Sequence, residues 1–433
     1  MFTFLIQNPW VVLFGSLFVL VLAKVPMAVS LAVASLITLL IDGSVPVLIV
    51  VQRLYAGTIS WILLAIPFFM MAGAIMEKGG VTKRIVDFCN ALIGFLPGGL
   101  AAVNIAASMV FGGISGSAVA DTSAIGTLLI PAMCRQGYSA EYSAAVTASS
   151  SPIGMIIPPS IPMVLYSFVS GVSVGGLFLG GVIPGILTGL VLIVISTFIS
   201  CRRGYRTSSY FQLRQVFTSG KDAVFAILAP AIIIGGIVSG VFTPTEAASV
   251  AVAYSLFVTM FIYQDLAFKD LPEVIMNAVK PTALVMFIVA AATVFSWTMS
   301  ILGIGSFLCQ LVTDIGTTPS RFLVLLMTLY FILGLFLDIS VIILLVGPVV
   351  APLVPRMGLD PFVVGIMSMV VLATGLITPP LGLCLFVASS ISGVSVEKIA
   401  VESIPFLLGL LFVALIVWLV PWTVTFIPAV VGR

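Results

Sequence analysis

The 433-residue chain contains no histidine and very little charge. Without histidine there is no Ser-His-Asp or Cys-His catalysis, no histidine metal ligand and no histidine proton relay. Charged residues are 7% of the chain and hydrophobic ones 61%, where a soluble domain carries roughly 25% charged. A water-soluble globular fold is therefore excluded. A net charge of +2 leaves no basic stripe, so nucleic acid is not a partner. The five cysteines (Cys89, Cys134, Cys201, Cys309, Cys384) form no CxxC and lie in or beside apolar runs. They read as small core residues, not as a disulfide framework or zinc site. The first residues lack the basic n-region and cleavage site of a signal peptide. No GxxxxGK[ST] is present, which excludes nucleotide hydrolysis by a P-loop.

What the chain has is apolar runs of spanning length, about 20 residues each. They are continuous, not alternating, so the lipid-spanning form is helical and not a β-barrel. Spans are expected near 9–23, 26–41 and 59–76, followed by an amphipathic stretch near 81–95 with Lys83, Arg84 and Asp87. Two shorter pieces, 98–112 and 118–134, are separated by Gly112–Ser117. The run 140–171 is interrupted at 151–154 and at Pro158-Pro159, and 176–199 is a further span. The polar stretch 200–222 holds Arg202, Arg203, Arg206, Arg214 and Lys221 against Asp222 alone, and is the one clear boundary.

The second half repeats the first. A shift of 221 residues places Gly126 on Gly347, Pro131 on Pro352, Gly137 on Gly358 and Gly154 on Gly375. It also places Pro158-Pro159 on Pro379-Pro380 and Ile183-Pro184 on Ile404-Pro405. Backbone-breaking residues in one register in both halves point to a transporter's binding site. The expected organisation is a first repeat 1–200, a basic cytoplasmic linker 201–222 and a second repeat 223–433. Within the repeats, scaffold spans occupy 1–95, 176–200, 223–302 and 404–427. A hairpin plus broken span occupies 98–171 and again 319–391.

Charge sets the orientation. Five crossings per half with a re-entrant hairpin in each make the halves face opposite ways. With the N-terminus outside, the cytoplasmic side receives thirteen of the 17 basic residues; Arg53, Arg321, Arg356 and Arg433 fall outside. The positive-inside rule favours that arrangement, with both termini periplasmic. The expected fold is thus an all-α membrane protein with an inverted repeat, two re-entrant hairpins and two broken helices.

Only Asp121 and Asp338 are acids within apolar stretches, each beside a hairpin break. Intramembrane carboxylates are functional by default, although either could serve structure by capping a half-helix. Unwound backbone at membrane depth exposes carbonyls, which suit a hard cation, and N–H groups, which suit an anion. Candidate Na⁺ ligands are Ser115, Ser117, Asp121, Ser149, Ser150 and Pro152 in the first half, and Gly334, Asp338, Thr374, Gly375 and Thr378 in the second. Candidate substrate contacts are Gly113, Ser115, Gly116, Pro158, Pro159, Ser340, Pro379 and Pro380. These segments hold no lysine or arginine. An anionic substrate must therefore be neutralised by co-bound cations and helix dipoles, which couples the two. Catalysis finds no support. Gly113–Gly116 fits the GxSG of intramembrane serine proteases, whose histidine is missing, and neither aspartate lies in a GxGD. Glu246, after Thr243-Pro244, reads as an acid in a helix's first turn.

Residues 111–126 (FGGISGSAVADTSAIG), 151–159 (SPIGMIIPP), 240–248 (GVFTPTEAA) and 375–382 (GLITPPLG) together resemble the large membrane subunit of tripartite ATP-independent periplasmic (TRAP) transporters. The likeness covers nearly the whole chain. It implies a Na⁺-driven importer of an organic acid, of the sialic-acid or dicarboxylate class, in a bacterial inner membrane. It further implies an elevator mechanism, a periplasmic substrate-binding protein and a small four-helix membrane subunit as partners. Na⁺ sites would lie by the hairpin tips and broken helices. The alternative is a binding-protein-independent, ion-coupled carboxylate transporter or antiporter of similar fold.

Overall fold

The computed structural model describes residues 9–43, 45–205, 211–304, 307, 310 and 318–431. Arg206, Cys309 and Arg433 lie outside the described residues. The described residues form helices and short connections, with no strand among them. Among the described residues, six helical stretches are long and apolar enough to cross a membrane: Trp61–Lys78, Val174–Arg203, Leu213–Val238, Pro244–Ile262, Phe268–Ile301 and Val396–Leu419. Pro9–Leu22 and Met27–Asp42, read above as spans, are 14 and 16 residues long, or ~21 and ~24 Å.

The first hairpin is Gly99–Ser115 followed by Ala118–Arg135. The first broken span runs Ala140–Ser150, a 3₁₀ turn Ser151–Met155, and Ile161–Ser170. The second half supplies the hairpin Pro319–Gly334 with Ile339–Val350, and the broken span Pro361–Gly375 with Leu383–Ser392. Caps explain where these pieces begin. The Ser117 hydroxyl accepts from the Ala120 N–H, and the Asp338 carboxylate from the Ser340 N–H at 2.8 Å. Ser139 and Asp360 start the two broken spans in the same way. In both pairs a serine of the first repeat is an aspartate in the second.

The repeats interlock reciprocally. Ile161–Ser170 packs on Ile339–Val350 of the second hairpin, and Leu383–Ser392 packs on Ala118–Arg135 of the first. Gly347 leaves room for Val169, since a Cβ there would lie 2.6 Å from a Val169 methyl. Its counterpart Gly126 does the same for Ile391, at 3.1 Å. The ends of the broken spans also match. Ser167 Oγ donates to the Val172 carbonyl and Ser389 Oγ to the Val394 carbonyl, beside left-handed Gly171 and Gly393.

Some boundaries differ from the expected ones. Of the stretch 201–222, residues 201–203 complete the helix Val174–Arg203, and 213–222 open Leu213–Val238. Long aliphatic stems on Arg and Lys let a helix run past the lipid boundary. The run read as 404–427 is Val396–Leu419 and a separate helix Trp422–Val431, parted at Pro421. Leu48–Thr58 is a helix with no expected counterpart; Leu48, Val51 and Tyr55 along it are exposed. The amphipathic stretch is Val81–Ile93, burying Val81, Ile85 and Cys89 at four-residue spacing.

Candidate functional site

Each hairpin meets its broken span at a glycine–glycine contact. A Cβ at Gly112 would lie 2.4 Å from the Gly154 Cα, and one at Gly154 would lie 2.8 Å from the Gly112 Cα. In the second half a Cβ at Gly375 would lie 2.4 Å from the Gly334 carbonyl oxygen. Only glycine permits such backbone approach. The Leu381 N–H also donates to the Leu335 carbonyl at 3.1 Å, joining the two second-half breaks directly.

At the first tip, Gly116 has φ +60° and faces the Pro159 carbonyl, while Gly113 faces the Pro158 carbonyl. The candidate residues Gly113, Gly116, Pro158 and Pro159 are therefore one cluster. Ser115 is buried there, its hydroxyl near the Ser117 backbone. The second-half counterparts Pro379 and Pro380 are exposed, whereas Pro158 and Pro159 are buried. Both Pro-Pro bonds are cis. Gly334 and Gly375 meet as described. Thr374 bonds to the Val371 carbonyl and Thr378 to the Thr374 carbonyl at 2.7 Å. Asp338 and Ser340 sit half-buried at the second tip.

Asp121 is in the first turn of Ala118–Arg135 and has no exposed surface. Neither carboxylate oxygen has a hydrogen-bond partner among the described residues. The Ser108 and Ser151 hydroxyls face it, but they are engaged with Ser150 and with the Thr147 carbonyl. The buried Ser149 hydroxyl is likewise unpartnered, and Pro152 is buried in the adjoining 3₁₀ turn. An unpaired carboxylate in a dry interior costs several kcal/mol, so such a group calls for a cation or a proton.

Behind these residues lies a polar network in which the expected Ser150 meets Asn104, Ser108 and Thr147, three residues outside the expected set. Asn104 Nδ2 donates to Thr147 Oγ1 at 2.7 Å, and Ser150 Oγ donates to Asn104 Oδ1 at 3.3 Å. Ser108 and Ser150 stand 3.0 Å apart. The signal was in the sequence: positions 104 and 108, like 147 and 151, are four apart and so share a helix face.

Paired broken helices, reciprocal repeats and a buried polar lining are the architecture of a multi-pass membrane transport protein. Residues 14–423 match the model of the tripartite ATP-independent periplasmic transporter, DctM component. The chain belongs to this family of TRAP transporter large permeases. It is 38% identical over 401 residues to the C4-dicarboxylate TRAP transporter large permease protein DctM of Pseudomonas aeruginosa, covering 93% of this chain and 92% of that one. It is 36% identical over 409 residues to the sialic acid TRAP transporter large permease protein SiaM of Vibrio cholerae, covering 94% and 96%. Identities this close leave the two substrate classes undistinguished. The fold is similar to the crystal structure of the Alcanivorax borkumensis YdaH transporter, with TM-score 0.61, 14% identity, and 86% and 87% coverage.

Proposed function

We propose that the protein is the large permease subunit of a Na⁺-coupled importer of an organic acid, of the dicarboxylate or sialic-acid class. The observation that carries this reading is the pair of glycine-seated breaks, Gly112 on Gly154 and Gly334 on Gly375. They hold peptide groups and hydroxyls together with no lysine or arginine. Peptide oxygens and the Asp121 and Asp338 carboxylates form the cation shell, and helix N-termini meet the substrate carboxylate. Na⁺ ligands come from Ser115, Ser117, Asp121, Ser149, Ser150 and Pro152 in one half, and Gly334, Asp338, Thr374, Gly375 and Thr378 in the other. Bound Na⁺ supplies the positive charge that the side chains lack. Substrate affinity then rises with Na⁺, and Na⁺ affinity with substrate.

Residues 98–171 and 319–391 act as a transport domain that moves, elevator-fashion, against the remaining spans. Their mutual packing supports treating them as one body. A small-residue contact to the scaffold supports sliding: a Cβ at Gly73 would lie 3.1 Å from the Ser115 Cα. The protein resides in a bacterial inner membrane with both termini periplasmic. It works with a small membrane subunit and a periplasmic binding protein that delivers the substrate. The test is uptake by the reconstituted complex under an imposed Na⁺ gradient, with sialic acid and succinate as probes. Uptake that needs both the gradient and the binding protein supports the reading. Gradient-independent flux, or equal uptake by this chain alone, contradicts it.

A further inference from the structure

A cavity of about 390 Å³ opens between Ala65–Lys78, the first-hairpin helix Ala118–Arg135 and Leu271–Ile301. Glu77, Lys78 and Lys83, all exposed, line it together with Ala124, Thr127 and Leu128. Glu77 makes no ion pair among the described residues; Lys78 is paired instead with Glu273 at 3.2 Å. Asp121 lies less than one turn from Ala124 on the same helix face as Ala124 and Leu128. Its buried carboxylate, without a hydrogen-bond partner among the described residues, stands behind the wall that Ala124 and Leu128 give the cavity. Glu77 thus lines the cavity itself, and Asp121 lies buried less than one helical turn from Ala124 in its wall.

We propose that Glu77 is a release station for the coupling cation, receiving it from Asp121 and passing it through this cavity to the cytoplasm. The inference rests on the Na⁺-import reading and adds to it a route and a residue outside the helix breaks. A cation leaving Asp121 must cross apolar surroundings, and a second carboxylate on the path lowers that barrier by replacing part of the lost coordination. The cavity wall nearest Asp121 is formed by small residues, Ala124 and Thr127. Glu77 is on the scaffold side and Asp121 on the hairpin, so the station is within reach only when the hairpin lies against Ala65–Lys78. Release is thereby tied to one position of the transport domain.

The test compares two transport modes of the complete reconstituted complex, with radiolabelled sialic acid and succinate as probes. Net uptake into Na⁺-free vesicles requires Na⁺ release. Counterflow with saturating Na⁺ on both sides does not. Glu77→Gln is expected to lower net uptake by about tenfold while counterflow stays within about twofold, and Glu77→Asp to restore much of the net rate. Unchanged net uptake in Glu77→Gln overturns the proposal. So does an equal fall in both modes that Glu77→Asp does not rescue, which marks Glu77 as structural. Equilibrium binding of radioactive sodium to the wild-type complex separates the levels. Its absence defeats the Na⁺ reading and this proposal together, whereas sodium binding with unchanged Glu77→Gln uptake defeats this proposal alone.

Discussion

Gly112 and Gly154 face each other backbone to backbone, so close that a Cβ on either would fall within 3 Å of the other's Cα. This contact fixes where the first hairpin stops and where the first broken span unwinds. The two breaks become one site because no side chain stands between them. Gly334 and Gly375 repeat the arrangement in the second half.

Replacement of Gly154 by Ala should therefore destabilise the complex by roughly 1–3 kcal/mol, the usual cost of overpacking, and abolish uptake. Gly235→Ala is the control, since nothing lies within 4 Å of a Cβ at that position. Thermal unfolding in detergent should show a lowered midpoint for the first variant and none for the second.

Asp338 combines a cap with a charge. Its Oδ1 accepts from the Ser340 N–H at 2.8 Å, a bond that Asn can also make. Asp338→Asn should keep the melting temperature near wild type yet raise the Na⁺ concentration needed for half-maximal uptake. Asp338→Ala should lose both, with about 1 kcal/mol of stability gone with the cap. Unaltered Na⁺ dependence in the Asn variant would assign Asp338 to structure alone.

Asp121 makes a sharper prediction, because its buried carboxylate has no hydrogen-bond partner among the described residues. Without Na⁺, Asp121→Asn should be as stable as wild type or more stable, because the amide buries no charge although it lacks partners as the carboxylate does. With Na⁺ added, the wild type should gain stability by ligand linkage and the variant should gain less. Melting curves across a Na⁺ series, at constant ionic strength, decide the matter. A variant less stable than wild type in Na⁺-free buffer runs against the cation-site reading.

Orientation is open to labelling. Lys221→Cys should react with a membrane-impermeant maleimide only after permeabilisation, and Arg356→Cys before it. Both positions are exposed. The reverse pattern would turn the chain upside down and place the Glu77 cavity on the periplasmic face.

Much of this was legible in the sequence because glycine and proline carry backbone information directly. Gly126 with Gly347, and Gly154 with Gly375, stand in one register, and the structure uses each pair for the same close approach. The hairpins were readable from apolar runs too short to span, parted by small and polar residues. Cap identity was partly readable: Glu246 forms a capping box with Thr243. Helix Leu48–Thr58 was not legible, since exposed apolar residues leave no clear boundary. The ends near 203 and 213 were also hidden, because arginines and lysines prolong a helix into water without altering its period. Asn104, Ser108 and Thr147, which join the expected Ser150, escaped because spacing groups residues on one helix face but says nothing about which second helix meets it. That the hydroxyls facing Asp121 are engaged elsewhere is a property of packing, not of sequence.

The most direct measurement is an experimental map of the complex with Na⁺ and substrate bound. The account predicts ion density against peptide oxygens at both Gly112–Ser117 and Leu335–Ser340, with the substrate carboxylate at helix N-termini between them. Unbroken helix through either segment, or ions seated away from both, would contradict it.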